Sequence, residues 1–207
     1  MADLDNAYAL NGPDDCRRLY AQWAASYDTG FAADMEYRLP AHVAMAFLAH
    51  GGGDADAVLD VGAGTGLLAA SLREQGFEGA IDGVDLSAEM LARAGEKRLY
   101  RALYRADITA PLPFSGPYSG IVSSGTFTHG HVGPEAIDRL ESVAAPGALF
   151  ALSINAGVYA AQGFDAALAR RPGVTLVEVP IYGAAAAGHD PAHAADRGLI
   201  ALWRHRA

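Results

Sequence analysis

The run Val58-Leu59-Asp60-Val61-Gly62-Ala63-Gly64-Thr65-Gly66-Leu67-Leu68 constrains the fold more than any other part of the chain. Ala57, Val58, Leu59 and Val61 form a short apolar run, the pattern of a strand covered on both faces. Three glycines at alternate positions then let the backbone bend sharply and approach a ligand closely. Leu67, Leu68, Ala69, Ala70, Leu72 and Arg73 favour a helix. The reading is strand, tight turn, helix, with the free N–H groups of the helix start facing into the turn. Taken alone, the glycines also suit a purely structural strand-to-helix turn.

Two cofactor chemistries compete for such a turn. A dinucleotide site needs G-x-G-x-x-G, with the last glycine packing helix on strand. Here Leu67 stands where that glycine belongs, and the spacing is G-x-G-x-G. Asp60 precedes Gly62 by two residues. An anion there opposes a pyrophosphate and suits an ammonium group. Both features favour S-adenosylmethionine over NAD, which stays open as the second alternative.

Val58–Leu68 resembles the first motif of the class I S-adenosylmethionine-dependent methyltransferases. Val84-Asp85-Leu86-Ser87-Ala88-Glu89-Met90-Leu91 resembles their second motif. Ala106-Asp107-Ile108, followed by Pro111-Leu112-Pro113-Phe114, resembles the third. The N-terminal Tyr20-x-x-Trp23-Ala24-x-x-Tyr27-Asp28 and Gly130-His131-Val132 are similar to one subgroup, the methyltransferase-like proteins of the Williams–Beuren syndrome region and their bacterial relatives. The class-level resemblance covers about residues 55 to 155.

With 207 residues and 51% hydrophobic content, the chain has material for a sizeable core. A net charge of -9 argues against a nucleic-acid backbone, which is held mainly by Lys and Arg. The 15 basic residues are scattered, so no polybasic membrane patch is expected. Cys16 is the single cysteine; it forms no intrachain disulfide and reads as a small buried apolar residue. The acidic start Met1-Ala2-Asp3-Leu4-Asp5 is unlike a signal peptide, and no run is long enough to span a membrane. A cytoplasmic protein, monomer or homodimer, is expected.

Residues 1 to 13 read as loose, with a helix from near Asp14. Cys16, Tyr20, Trp23 and Tyr27 fall on one face of it. Asp28-Thr29-Gly30 reads as a break, Pro40 as the first turn of a second helix, and Gly51-Gly52-Gly53 as its stop. Strands are expected at 57–61, 80–85, 103–105, 118–123 and 148–155. Helices are expected from Gly66, from Ser87 to Lys97 and from Pro134. After a helix at 159–170, the runs Val174 to Tyr182 and Leu199 to Arg206 suit an antiparallel hairpin at a sheet edge. The expected fold is α/β: a Rossmann-like seven-stranded, mostly parallel sheet with helices on both faces, a C-terminal antiparallel hairpin and an N-terminal helical cap. One methyltransferase domain is expected over 1–207, with the cap at 1–53, the cofactor-binding core at 54–155 and the terminal helix and hairpin at 156–207.

Ligands of open α/β sheets bind beyond the strand carboxyl ends. There Gly62, Ala63 and Gly64 offer close backbone approach, with Asp60 beside them. Asp85 is placed to accept from ribose hydroxyls, or else serves only as a charge at a helix start. The resemblance implies that Asp107 takes the adenine amine and Ile108 lines the ring. Leu86 and Met90 pack on the same ring, with a core role as the alternative for Met90. It also implies a tyrosine of the cap near the methionine carboxylate, Tyr27 or Tyr20. Ser124 lies in the loop after strand four, taken as part of the cofactor site. His129 and His131 in that loop are the candidates for removing an acceptor's proton, against a surface or structural role. The loop lacks the motifs of nucleic acid base methyltransferases, which favours a small-molecule acceptor. The pocket for it would be lined by Tyr20, Phe31, Phe127, His131 and Tyr159. A metal at His189 and His193 lacks a third ligand, so none is expected. A non-catalytic cofactor-binding protein remains a further alternative.

Overall fold

A computed structural model describes residues 12–206, apart from the side chains of Pro13 and Cys16. The expectations for residues 1–11 and for the Cys16 side chain lie outside the described residues.

The first described element is α1 (Pro13–Trp23), whose proline stands at the helix start, where no N–H is needed. Asp28-Thr29-Gly30 does not break the path as expected. It forms a π-helical turn, Asp28–Ala32, because backbone hydrogen bonding continues through it, Gly30 N–H to the Ser26 carbonyl and Ala32 N–H to the Tyr27 carbonyl. Helix α2 (Leu39–Phe47) follows and runs into a second π-helical turn, Leu48–Gly52, ended by Gly51 at φ 84°.

Strand β1 (Ala57–Val61), α3 (Leu67–Glu74), β2 (Ala80–Asp85), α4 (Ala88–Glu96) and β3 (Ala102–Arg105) then alternate. Ser87 caps α4, its hydroxyl accepting from the Met90 N–H at 3.2 Å. Next come β4 (Tyr118–Phe127), α5 (Glu135–Glu141) and β5 (Ala144–Asn155). The terminal part is α6 (Phe164–Ala169), β6 (Thr175–Pro180), α7 (Ala186–His189) and β7 (Arg197–Arg204).

The strands form one seven-stranded sheet in the order β3-β2-β1-β4-β5-β7-β6. β1 to β5 are parallel, and β7 runs antiparallel to both β5 and β6. Alternate residues of each strand feed two cores. Leu59, Val61, Ile121 and Phe150 pack with Ile137 and Leu140 of α5. Val58, Ile81 and Val122 pack with Val43 and Phe47 of α2 and with Leu68 and Leu72 of α3. Trp23 of α1 and Met90 of α4 share a smaller core that seats the cap over the sheet.

Four boundaries differ from expectation. β4 continues to Phe127 instead of ending at Ser123. Its pairing slips from Ser123↔Leu152 to Phe127↔Ile154, so extra residues bulge out between them. β5 starts at Ala144, because Ala144 pairs with Tyr118 before Pro146 and Gly147 loop out of register. Residues 156–163 form turns, and α6 starts only after Gly163, which adopts φ 79°. The loop between β6 and β7 contains the short helix α7.

Candidate active site

Strands β2 and β4 flank β1, and the chain leaves β1 in one direction and β4 in the other. A cleft opens at this switch point beyond the strand ends, as in other open α/β sheets. A cavity of about 190 Å³ fills it, lined by the glycine turn, the ends of β2 to β4, and Arg17, Tyr20, Tyr27 and Tyr37 of the cap.

The glycine turn is held by its neighbours. Gly62 adopts φ 68°, and a Cβ there would lie 1.9 Å from the Thr126 hydroxyl oxygen. Only glycine lets Thr126 reach in and donate to the Val61 carbonyl at 3.0 Å. Asp85 stands at the end of β2, with Oδ2 accepting from the Gly64 N–H and Oδ1 from the Ser87 N–H, each at 2.8 Å. The carboxylate is thereby fixed in the cleft. Burial pushes its proton affinity up, and the three backbone N–H groups of Ser87, Gly64 and Leu86 oppose this.

Gly62, Ala63, Gly64, Leu86, Met90, Asp107, Ile108 and Ser124 all line the cleft with Asp85. Asp107 Oδ1 accepts from both the N–H and hydroxyl of Thr109, at 2.9 and 2.7 Å. That turn fixes the carboxylate at the mouth. Asp60 lies elsewhere. It is 1% exposed, on the helix-facing side of β1, beneath the turn and off the cleft lining. Tyr100 donates to its Oδ2 at 2.7 Å, and Oδ1 has no hydrogen-bond partner among the described residues. Burial pushes Asp60 up to about 7, Tyr100 working against the shift and Asp85 adding to it.

A second cavity of about 50 Å³ lies behind the cleft. Tyr20, Tyr27, Tyr37, Gly125 and His131 line both and form the wall between them. The bulge of β4 supplies part of this wall. Gly125, at φ 80°, donates its N–H to the Ser153 hydroxyl at 3.0 Å, which turns Ser124 and Thr126 toward the cleft. Of the residues expected around an acceptor, Tyr20, Phe31, Phe127 and His131 line the inner cavity. Tyr159 lines neither cavity; it packs against the core beside α5 and α6.

The two histidines part company. His131 Nδ1 lies 2.6 Å from the His129 carbonyl, which can only accept, so Nδ1 carries the proton. Nε2 therefore accepts from the Tyr20 hydroxyl at 3.0 Å. Burial lowers the His131 pKa, so the imidazole is neutral at neutral pH. His129 lines neither cavity. Its ring lies against Gly157, on the far side of the loop. Burial lowers its pKa too, against the pull of Asp196.

Tyr37, Arg17 and Thr126 were not singled out as site residues from sequence. Tyr37 Oη lies 3.5 Å from Ser124 Oγ, and burial pushes its phenol up to about 12. Tyr37 belongs to no helical stripe, and only its place three residues before Pro40 hints at a turn into the site. Among the described residues, no group of three or more His, Cys, Asp and Glu could hold a metal. Among them no helix is long and apolar enough to cross a membrane.

A methyltransferase-domain family model matches residues 31–192. The chain belongs to the methyltransferase-domain family. Methyltransferase-like protein 27 of Homo sapiens is 36% identical over 148 residues, which cover 68% of this chain and 59% of that protein. The match thus spans about three fifths of that relative's length. Among solved structures, the N-methyltransferase NodS of Bradyrhizobium japonicum, in complex with S-adenosyl-L-homocysteine, superposes with a TM-score of 0.66. It is 17% identical, and the match covers 92% of this chain and 98% of that one. A putative S-adenosyl-L-methionine-dependent methyltransferase of Methanococcus maripaludis gives 0.62 at 16% identity, covering 92% and 94%. The fold is that of the class I S-adenosylmethionine-dependent methyltransferases.

The cleft residues fit S-adenosylmethionine. A carboxylate ends β2 and another stands two residues beyond β3, Leu86, Met90 and Ile108 line the same cleft, and so does the glycine turn. Asp85 and Asp107 each accept from backbone N–H groups, so both are pre-oriented without a bound group.

Proposed function

We propose that this methyltransferase moves the methyl group of S-adenosylmethionine to a small-molecule nucleophile that loses a proton, with His131 receiving that proton through Tyr20. The observation that carries this reading is the shared wall. The cleft that suits the cofactor and the inner cavity meet at Tyr20, Tyr27, Tyr37 and His131. S-adenosylmethionine supplies an electrophilic methyl on a positively charged sulfur.

Asp85 would hold the ribose hydroxyls and Asp107 the adenine amine, with Leu86, Met90 and Ile108 against the ring. Gly62, Ala63, Gly64, Ser124, Tyr20 and Tyr27 would surround the amino acid part. Asp60 would favour its ammonium only from beneath the turn, off the cleft lining. Aligning the two reactants supplies most of the acceleration in such an in-line displacement. The Tyr20 hydroxyl passes its proton to His131 Nε2 as it takes one from the acceptor, a transfer the 3.0 Å contact supports. His129 is left outside this scheme.

The volume behind the wall, about 50 Å³, suits a small acceptor or the end of one. The net charge of -9 disfavours nucleic acid. The single cysteine suits the cytoplasm. Titration calorimetry with S-adenosylmethionine, S-adenosylhomocysteine and NAD tests the reading. Binding of both adenosyl compounds, lost in Asp85→Ala, is expected; binding of NAD alone would overturn it.

A further inference from the structure

The inner cavity is built differently from the cleft. Rings of Trp23, Phe31 and Tyr182 join those of Tyr20, Tyr27 and Tyr37 around it. They touch one another as one set: Trp23 stacks on Phe31 at 6.0 Å, and Phe31 meets Tyr182 edge-on at 6.1 Å. No Asp, Glu, Lys or Arg is among its described lining residues, whereas the cleft has Arg17, Asp85 and Asp107. Thr128, Ser153 and Asn155 add neutral hydrogen-bonding groups. Burial raises the Tyr27 and Tyr37 phenols and lowers the His131 imidazole, so these three are uncharged at neutral pH.

We propose that this cavity receives an uncharged, NH-bearing nitrogen heterocycle of the azole class as the methyl acceptor. The inference rests on the outer cleft being the cofactor site. A carboxylate or phosphate would lie there with no counter-charge, and an unpaired buried charge is strongly disfavoured. An alkylamine arrives as an ammonium, which has no lone pair and meets no carboxylate. Giving its proton to a buried imidazole is uphill. An azole is neutral near pH 8 and keeps a lone pair in the ring plane. At about 10–15 Å³ per water, the cavity has room for roughly three to five waters, the space of one small ring. Flat faces suit packing among tilted and edge-on aromatic side chains.

The transfer balances. The pyridine-type nitrogen forms the new C–N bond as the methyl–sulfur bond breaks, and its electron pair stays on sulfur. The ring is then cationic until it gives up its N–H proton. Its N–H proton passes to the Tyr20 oxygen while the Tyr20 proton moves to His131 Nε2.

Protein saturated with S-adenosylhomocysteine would be titrated at pH 8 with imidazole, pyrazole, acetate and tetramethylammonium. Both azoles are expected to bind at least about tenfold more tightly than either ion. Tyr182→Leu should weaken them about fivefold or more while leaving the affinity for S-adenosylhomocysteine unchanged, and Tyr182→Phe should restore them. With S-adenosylmethionine instead, mass spectrometry should find 1-methylimidazole. Either ion matching the azoles, azole binding indifferent to Tyr182→Leu, or binding without methylated product would each overturn the proposal. Failure of the unaltered protein to bind S-adenosylhomocysteine would instead remove the cofactor reading, and this inference with it.

Discussion

Lys97 Nζ lies 2.6 Å from Asp28 Oδ2, and the two meet over Thr65 of the glycine turn. Lys97 also donates to the Thr65 carbonyl at 2.7 Å, and the Thr65 hydroxyl donates to Asp28 Oδ1 at 2.5 Å. The cap, the turn and the end of α4 are thus tied at one point. The side chains are 27% and 34% exposed, so solvent screens part of the attraction. Asp28→Ala should cost about 1–1.5 kcal/mol, a fall of roughly 2–6 °C in Tm. It should also weaken S-adenosylhomocysteine binding several-fold, since the cap would seat less firmly. An unchanged affinity would mean that the tie serves stability alone.

Asp85→Asn should damage cofactor binding more than its size suggests. Both carboxylate oxygens accept from N–H groups, of Gly64 and Ser87. An amide NH₂ would face one of these donors and turn away. Titration should find S-adenosylhomocysteine affinity reduced about 100-fold, equivalent to about 2.7 kcal/mol.

Asp60 makes stability depend on pH. Its value, about 7 in the folded protein, lies above the ordinary 3.8. The folded chain therefore holds a proton that the unfolded chain releases. This group's effect on stability is most favourable near pH 4, worsens as pH rises to about 7 and is level above that. The full span is on the order of 4 kcal/mol at 1.36 kcal/mol per pH unit, an upper figure. Urea midpoints at pH 5 and pH 8 should differ in the unaltered protein and much less in Asp60→Asn. An equal slope in both would refute the assignment.

Methyl transfer should be level in the neutral range and fall only below about pH 6.5, because His131 must be neutral and burial lowers its pKa. His131→Ala should lower kcat about 100- to 1000-fold. Tyr20→Phe leaves the ring contacts in place and removes the relay oxygen, so it should approach the same loss. A Tyr20→Phe enzyme with full kcat would show that the acceptor's proton leaves by another route.

Gly62→Ala and Gly64→Ala should differ sharply. Both glycines have positive φ, 68° and 54°. A Cβ on Gly62 would meet the Thr126 oxygen at 1.9 Å, whereas one on Gly64 would meet nothing nearer than 3.9 Å. Gly62→Ala should cost about 2–4 kcal/mol and Gly64→Ala about 1 kcal/mol. Thermal melts of the two variants check the order.

The sheet was legible because its strands are apolar runs with clear ends. Ala80–Asp85 is bounded by Gly79 and by Ser87, whose capping role is visible from its type and place. The extension of β4 was not. Ser124, Gly125 and Thr126 carry no alternation, and they join the strand only because β5 beside them runs on to Asn155. The cleft side chains follow from motif positions, since a strand end fixes where a side chain emerges. Depth does not follow in the same way. Asp85 ends its strand and Asp60 stands one residue short of the end of β1, yet one opens into the cleft and the other is sealed under the turn. His129 and His131 were both candidates, and only the path of the loop assigns one to each side; Tyr37 reaches the site through a fold of the cap that no period encodes.

The insertion of β7 between β5 and β6 imposes an order of assembly. β6 precedes β7 in the chain, yet among the described residues it pairs with β7 and with no other strand. In chain order β6 is made before β7 exists, and the edge of β5 stays open until the residues of β7 are in place. A chain that stops between residues 180 and 197 would therefore have the cofactor half laid down and the β5 edge unpaired, the state in which copies of it are most able to pair wrongly with one another.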